Sequence, residues 1–190
     1  DPANSEFFYK PLEDLVKMVL PLEIQMDCHI ESLKAQAVII RTNMLYSSRI
    51  MGGRGCQKYK GADLCRSDHC YNFYYTDELK DVWKESYEEY LNKLNLCVDE
   101  TKDIVICRND KPIMAEYHHT CGGSTENSEN LIHNSVTYLR MVLCEYCQNS
   151  PYWECYKDFS LEEIEEKLNT KFPQPKPDLD LEFTGFIDSI

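Results

Sequence analysis

Leu12, Leu15, Val16 and Val19 fall at helical spacing, with Pro11 suited to a first turn and Pro21 to a stop, so the pattern predicts a short helix over 11–20. From Asp27 to about Arg49 the apolar set Ile30, Leu33, Ala37, Ile40 and Met44 recurs at steps of three and four among strong helix formers, which predicts a long helix. The same period returns from Asp77 to Leu96 through Leu79, Val82, Trp83, Tyr87, Tyr90, Leu91 and Leu94, and predicts a second long one. Ser160 before Leu161–Leu168 reads as a capped helix.

Between these helices the pattern changes. Ile104–Cys107 and Ile113–His118 flank the turn formers Arg108-Asn-Asp-Lys-Pro112 and read as strand, turn, strand, and Tyr138–Val142 is a third strand candidate. The order predicts an α+β fold, several helices with a small, mainly antiparallel sheet. A domain over 1–172 is expected, followed by a Pro- and Asp-rich tail over 173–190. Gly52 to Cys70, rich in glycine and polar residues, reads as an irregular loop fixed by a metal or a disulfide rather than by apolar burial.

Composition narrows the function. The 190 residues carry 33 acidic and 20 basic side chains, a net charge of −13, with no concentrated basic patch, so nucleic acid is not an expected partner. No apolar run reaches the ~20 residues that cross a bilayer. The start Asp-Pro-Ala-Asn reads as a mature or trimmed end, which leaves a removed leader or a membrane anchor open. Ten cysteines suit an oxidising, extracytoplasmic setting or a metal site, and their number does not separate the two.

Two runs hold candidate chemistry. In Pro21-Leu-Glu-Ile-Gln-Met26, Glu23 sits among large apolar residues after the first helix, where desolvation would keep a carboxyl protonated as a general acid requires; an exposed helix-end glutamate is the plainer reading. Tyr117-His-His-Thr-Cys-Gly-Gly-Ser-Thr-Glu-Asn127 packs imidazoles, hydroxyls and a Gly-Gly pair into one loop, a dense supply of donors, or an ordinary turn. The aromatic run Tyr71, Phe73, Tyr74 and Tyr75 suits core and edge packing better than a sugar platform. Cys144-Glu-Tyr-Cys147 with Cys155 forms a second cysteine cluster, read as a disulfide or shielded thiols, whereas Cys28, Cys97 and Cys107 fall in elements where single cysteines pack.

Together with Glu31-Ser-Leu-Lys-Ala-Gln-Ala-Val-Ile-Ile-Arg-Thr42, these runs closely resemble the stage II sporulation protein D family, peptidoglycan lytic transglycosylases. That family shows a glutamate-methionine-proline run and, eight residues after its glutamate, a helix reading roughly E-A-L-K-A-Q-A-V-A-A-R-T; Glu23 and Glu31 keep that spacing. Its second block, roughly K-P-I-x-A-x-F-H-S-S-S-G-G-R-T-E-x-S-E, matches Lys111 to Glu129, and similarity extends from about residue 11 to 170. The chain departs from it at Ile24-Gln25, at Asn43 and at His119-Thr120-Cys121.

The resemblance implies an enzyme that cleaves the β-1,4 bond between N-acetylmuramic acid and N-acetylglucosamine with one carboxylic acid, Glu23, and leaves a 1,6-anhydro sugar. Glu31 is the rival acid. It further implies a substrate groove with Gln36, Arg41, His118, Cys121, Gly122, Gly123, Thr125 and Glu126, the 118–126 loop facing Glu23 across it. Cys65, His69 and Cys70 fall where members of the family carry a cluster that binds a structural zinc; Tyr59 stands at the position of the family's first histidine, and the nearby Cys56 is the candidate fourth ligand; a disulfide among the three cysteines is the alternative. No cofactor is required for the chemistry. Expected partners are peptidoglycan glycan strands and a wall amidase or other engulfment proteins, on the cell-wall side of the membrane of a Gram-positive spore former. A noncatalytic wall-binding or amidase-enhancing module is the alternative function.

Overall fold

The computed structural model describes residues 7–172, so the tail expected over 173–190 lies outside the described residues. The chain divides into two compact units, one up to His118 and one from His119, inside the span that the sequence assigns to a single domain. The secondary structure is that of an α+β protein, helices with, among the described residues, one two-stranded antiparallel sheet.

The first unit opens with α1 (Leu12–Glu23) and α2 (Ile30–Ser47). The stop expected at Pro21 is overrun by a turn's end: Pro21 lies inside α1, where a missing N–H costs one bond, and the amide of Ile24 still reaches the carbonyl of Leu20 at 3.2 Å. α2 is capped by His29, whose Nδ1 accepts from the amide of Glu31 at 3.2 Å.

The long helix expected over 77–96 is broken in two. α3 (Thr76–Trp83) ends at Lys84, which takes φ 46°, and after a 3-10 turn at Lys84–Ser86 the chain resumes as α4 (Tyr87–Glu100). Periodicity survived the break because Trp83 packs edge-on against Tyr90 (centroids 5.7 Å apart) and beside Tyr87 (6.1 Å), so one apolar stripe is shared by two helices.

α1, α2 and α4 pack mutually, and α2 is buried on more than one side, with Leu33, Ala37, Ile40 and Met44 joining Val16, Val19 and Leu20 of α1 and Leu94, Cys97 and Val98 of α4 in one core. Phe73 and Leu79 close it, and Tyr71, Tyr74 and Tyr75 pack against it, so the aromatic run serves packing as expected.

The hairpin is shorter than the sequence suggests. β1 (Cys107–Arg108) pairs with β2 (Lys111–Pro112) across Asn109 and Asp110, both left-handed (φ 51° and 58°), as a tight two-residue hairpin turn demands. The flanks add one further bond, from the amide of Ile113 to the carbonyl of Ile106 (3.1 Å); Pro112 donates none, and the amides of Ile106 and Ala115 bond to side chains of α2 instead.

In the second unit α5 (Ser128–Ile132) and α6 (Leu161–Leu168) are joined by irregular chain. The third strand expected at Tyr138–Val142 is absent; Ser124 and Leu143 form a single antiparallel bridge, and the Ser135–Arg140 region is held by side chains instead of a ladder. α6 carries the expected cap, Ser160 accepting from the amide of Glu163 at 3.2 Å while Glu163 accepts from the amide of Ser160. Among the described residues no helix is long and apolar enough to cross a membrane.

Candidate functional site

Glu23 is the last residue of α1 and is half-buried. The hydroxyl of Tyr117 donates to its Oε2, bringing together residues 94 apart in the chain. Burial, and then the carboxylate of Glu23, hold the Tyr117 phenol well above the ordinary tyrosine range, so it remains a donor at any physiological pH. Burial also pushes Tyr71 up to about 12, with the negative charge of Glu23 adding to it.

Tyr117 is aimed by α2. The side chain of Asn43 donates to the carbonyl of Ala115 (2.9 Å) and accepts from its amide (2.7 Å), pinning the segment two residues before Tyr117. Thr42 adds a bond from the amide of Ile106 to its hydroxyl (3.0 Å). Asn43 is thus a backbone clamp.

Glu23, Tyr71 and Tyr117 border a cleft of about 730 Å³, a size that suits a small organic ligand. Its other walls are Asn43 and Ser47 of α2 and the irregular loop, which contributes Gln57, Asp63, Asp68 and Asn72. Two further carboxylates are thus present, and both are engaged within the loop region. Asp63 accepts from the amide of Arg49 at 2.9 Å and from its Nε at 3.4 Å, and Asp68 accepts from Asn72.

The loop itself surrounds a knot of donors. Nδ1 of His69 lies 3.7 Å from the sulfur of Cys56, 3.8 Å from that of Cys65 and 3.3 Å from that of Cys70, and the four ligand atoms lie within 4.8 Å of one another. A tetrahedral zinc with ordinary bond lengths sets nitrogen-to-sulfur edges of about 3.6 Å and sulfur-to-sulfur edges of about 3.8 Å. The donor set therefore fits that metal.

Tyr59 contributes its backbone rather than its ring, its amide donating to the sulfur of Cys56 at 3.2 Å. Burial opposes ionisation of Cys56, but the bonds from Tyr59 and the neighbouring thiols bring its acidity to the thiolate side of an ordinary cysteine. Burial pushes Cys70 up to about 12. The loop leaves α2 through Gly53, where a Cβ would fall 2.4 Å from the carbonyl oxygens of Tyr46 and Ser47.

The remaining residues expected in the groove divide between the two units. Arg41 is fully buried and grips Glu13 through Nε (2.9 Å) and Nη2 (2.7 Å), with a third bond from Nη1 to the carbonyl of Ile104 (3.1 Å); it braces α1 and α2 and does not line the cleft. Gln36 is buried beside Tyr117, with its side chain directed at the phenol, and it is not among the residues that line the cleft. Glu31 is an exposed first-turn residue paired with Lys34 at 2.7 Å, outside the cleft.

His118 closes the first unit and is exposed. Cys121, Gly122, Gly123, Thr125 and Glu126 belong to the second. There Gly123 needs its φ of 108°, whereas a Cβ on Gly122 would meet nothing. The Thr125 hydroxyl accepts from the amide of Val142 (2.9 Å), and Glu126 accepts from the amide of Asn127 (2.6 Å) and from Asn130 (2.8 Å), so these two side chains shape the loop.

Sequence reasoning left Tyr117 and Asn43 out of the site. Tyr117 opened the suspicious run, and its phenol at a strand end was the one available signal; nothing in the spacing of Asn43 marks it as a clamp.

A family model described as "Stage II sporulation protein" matches residues 6–107. The chain is 31% identical over 170 residues to stage II sporulation protein D of Bacillus subtilis (strain 168), covering 89% of this chain and 49% of that protein. It is 28% identical over 162 residues to the protein of the same name from Bacillus amyloliquefaciens, covering 85% and 46%. An uncharacterized protein of Brachyspira hyodysenteriae is 31% identical over 137 residues, covering 72% and 33%. The chain therefore spans about half the length of the curated Bacillus relatives it matches. On the extent of the family match, the acid-bearing α1 and the α2 that follows it are those of the stage II sporulation protein D family, to which this chain belongs.

Proposed function

We propose that the chain is a peptidoglycan lytic transglycosylase acting on glycan strands during sporulation, with Glu23 as its single acid and base. The observation that carries this reading is the Glu23 carboxylate, held by the Tyr117 hydroxyl at the edge of a polar cleft. Protonated Glu23 gives its proton to the glycosidic oxygen between N-acetylmuramic acid and N-acetylglucosamine as the bond from C1 breaks. The resulting carboxylate then takes the proton of the muramic 6-hydroxyl, whose oxygen closes on C1. The product is a 1,6-anhydro sugar and Glu23 is returned to its acid form. No water-activating base is needed, which accords with Asp63 and Asp68 being engaged by Arg49 and Asn72.

Tyr117 orients the carboxylate. Cys56, Cys65, His69 and Cys70 would hold a zinc that braces the cleft wall; four protein ligands leave no open position, so its part is structural. The expected setting is extracytoplasmic, on the cell-wall side of the membrane, with a wall amidase or other engulfment proteins as companions.

Mass analysis of peptidoglycan digested by the chain tests the reading. Anhydro-muropeptides or anhydro-glycans are expected with the wild type and not with Glu23→Gln. Glycan binding with no cleavage by either protein would replace it with the noncatalytic wall-binding module.

A further inference from the structure

The first unit holds the apolar core, and the second has almost none. Among its described residues only Ser128 and Glu165 are buried, while Leu131, Val142, Leu143, Tyr146, Tyr152 and Tyr156 stand largely in solvent. Chain of this length without a core needs a covalent or metal staple to keep one structure.

Three thiols converge where such a staple is wanted. The amide of Cys144 donates to the carbonyl of Gly123 (2.8 Å) and that of Thr125 to the carbonyl of Val142 (3.0 Å), laying the 121–125 loop beside 142–144. The sulfurs of Cys144 and Cys147 are 3.3 Å apart, that of Cys121 lies within 4.8 Å of that of Cys147, and the Cys121 and Cys144 thiols also interact.

Backbone amides point at the sulfurs. Those of Tyr146 and Cys147 approach Cys144, and that of Cys121 approaches Cys147. A turn of two cysteines separated by two residues, with amides directed at sulfur, is how a chain presents thiolates to a metal. On the far side the hydroxyls of Thr120 and Ser150 meet at 2.6 Å and fix both ends of the cluster.

We propose that Cys121, Cys144 and Cys147 form a second metal site, distinct from the Cys56–Cys70 loop, that binds zinc or another thiophilic divalent ion and staples the second unit. Three thiolates fill three corners of a tetrahedron. The fourth corner is open to water. A Cys144–Cys147 disulfide would serve the fold less well, because it closes a very short loop and leaves Cys121 untied, whereas a metal links the 121 loop to the 144–147 turn. The site does not depend on the glycan-cleaving reading.

The test is zinc content per chain, with thiol protection, on protein purified without chelator or added reductant. Elemental analysis of the wild type and of C144S/C147S should show one zinc fewer in the variant. Where the variant does not fold, the wild type alone decides: iodoacetamide should spare Cys121, Cys144 and Cys147 in the zinc-loaded chain and modify all three after chelation, read by peptide mass mapping. Equal zinc in the two proteins, equal alkylation before and after chelation, or a mapped Cys144–Cys147 disulfide would overturn the site.

Discussion

The hydroxyl of Tyr117 donates to Oε2 of Glu23, so the segment after the hairpin and the end of α1 meet through one phenol-carboxylate bond. On the proposed chemistry, Glu23→Gln removes the transferable proton and keeps the shape, and turnover should fall by at least ~10²-fold with thermal stability unchanged. Tyr117→Phe removes only the orienting bond. A hydrogen bond to a charged group is worth roughly 1.5–3 kcal/mol, so the loss expected is about 10- to 100-fold in kcat with KM little altered. Steady-state turnover on purified glycan strands checks both, and an unimpaired Tyr117→Phe would remove the phenol from the mechanism.

Asn43 should act on the same step through Tyr117. Both its amide groups bond the backbone of Ala115, so Asn43→Ala frees that segment and leaves an amide and a carbonyl seeking partners. Stability should drop by about 1–3 kcal/mol in urea denaturation, and kcat should fall as in Tyr117→Phe. The double variant Asn43→Ala/Tyr117→Phe should be no slower than the worse single one, since both remove one orienting contact.

How much of this was legible beforehand follows from which contacts are local. The three- and four-residue steps from Ile30 to Met44 gave α2, because a helix buried on several sides still needs that period. The break at Lys84 left no trace, since Trp83 keeps its stripe continuous by packing against Tyr87 and Tyr90. The apolar neighbours of Glu23 only raise the possibility of an acid, and the family resemblance selects it. Its partner Tyr117 was not legible, because a pair so distant along the chain is set by tertiary packing alone. Arg41 lies on the same helix as Gln36, and only the position of Glu13 on α1 decides that it faces inward.

That inward arginine makes Glu13 a stability residue. Arg41 is fully buried, and Glu13→Ala would leave its guanidinium without a counter-charge, a loss of about 3 kcal/mol or more. Glu13→Leu with Arg41→Met should recover much of the loss by restoring an apolar contact of similar bulk. Urea midpoints of the wild type and these two variants decide this. A Glu13→Ala protein as stable as the wild type would show that the pair contributes nothing.

Acid should loosen the start of α3. Glu78 accepts from the amide of Tyr75 at 2.6 Å and takes both oxygens to Arg66 at 2.9 and 3.0 Å. The Tyr75 amide, then the Arg66 guanidinium, hold its carboxyl below the usual carboxylate range. With the folded pKa depressed, the stabilisation is present above the unfolded value of about 4.5 and is lost as pH falls through and below it. The stability difference between wild type and Glu78→Gln should therefore shrink from pH 7 to pH 3. A difference that held constant across this range would show that Glu78 is not coupled to folding through its charge.

Chelation should separate the cleft wall from the acid. Gln57, Asp63, Asp68 and Asn72 stand on the loop that Cys56, Cys65, His69 and Cys70 gather, and among those ligands Cys56 and Cys65 are buried. Little apolar surface holds this loop, so removing a zinc from these ligands should release it and dismantle one side of the cleft while the α1–α2–α4 core stands. The expected result on treatment with a strong chelator is new protease cleavage between Gly52 and Cys70, loss of glycan turnover and near-native helical circular dichroism, all restored by zinc. Glu23→Gln differs in each respect but one: it loses turnover with the loop intact. Chelator-treated protein that stayed fully active and protease-resistant over this loop would show that the four ligands need no metal to hold the wall in place.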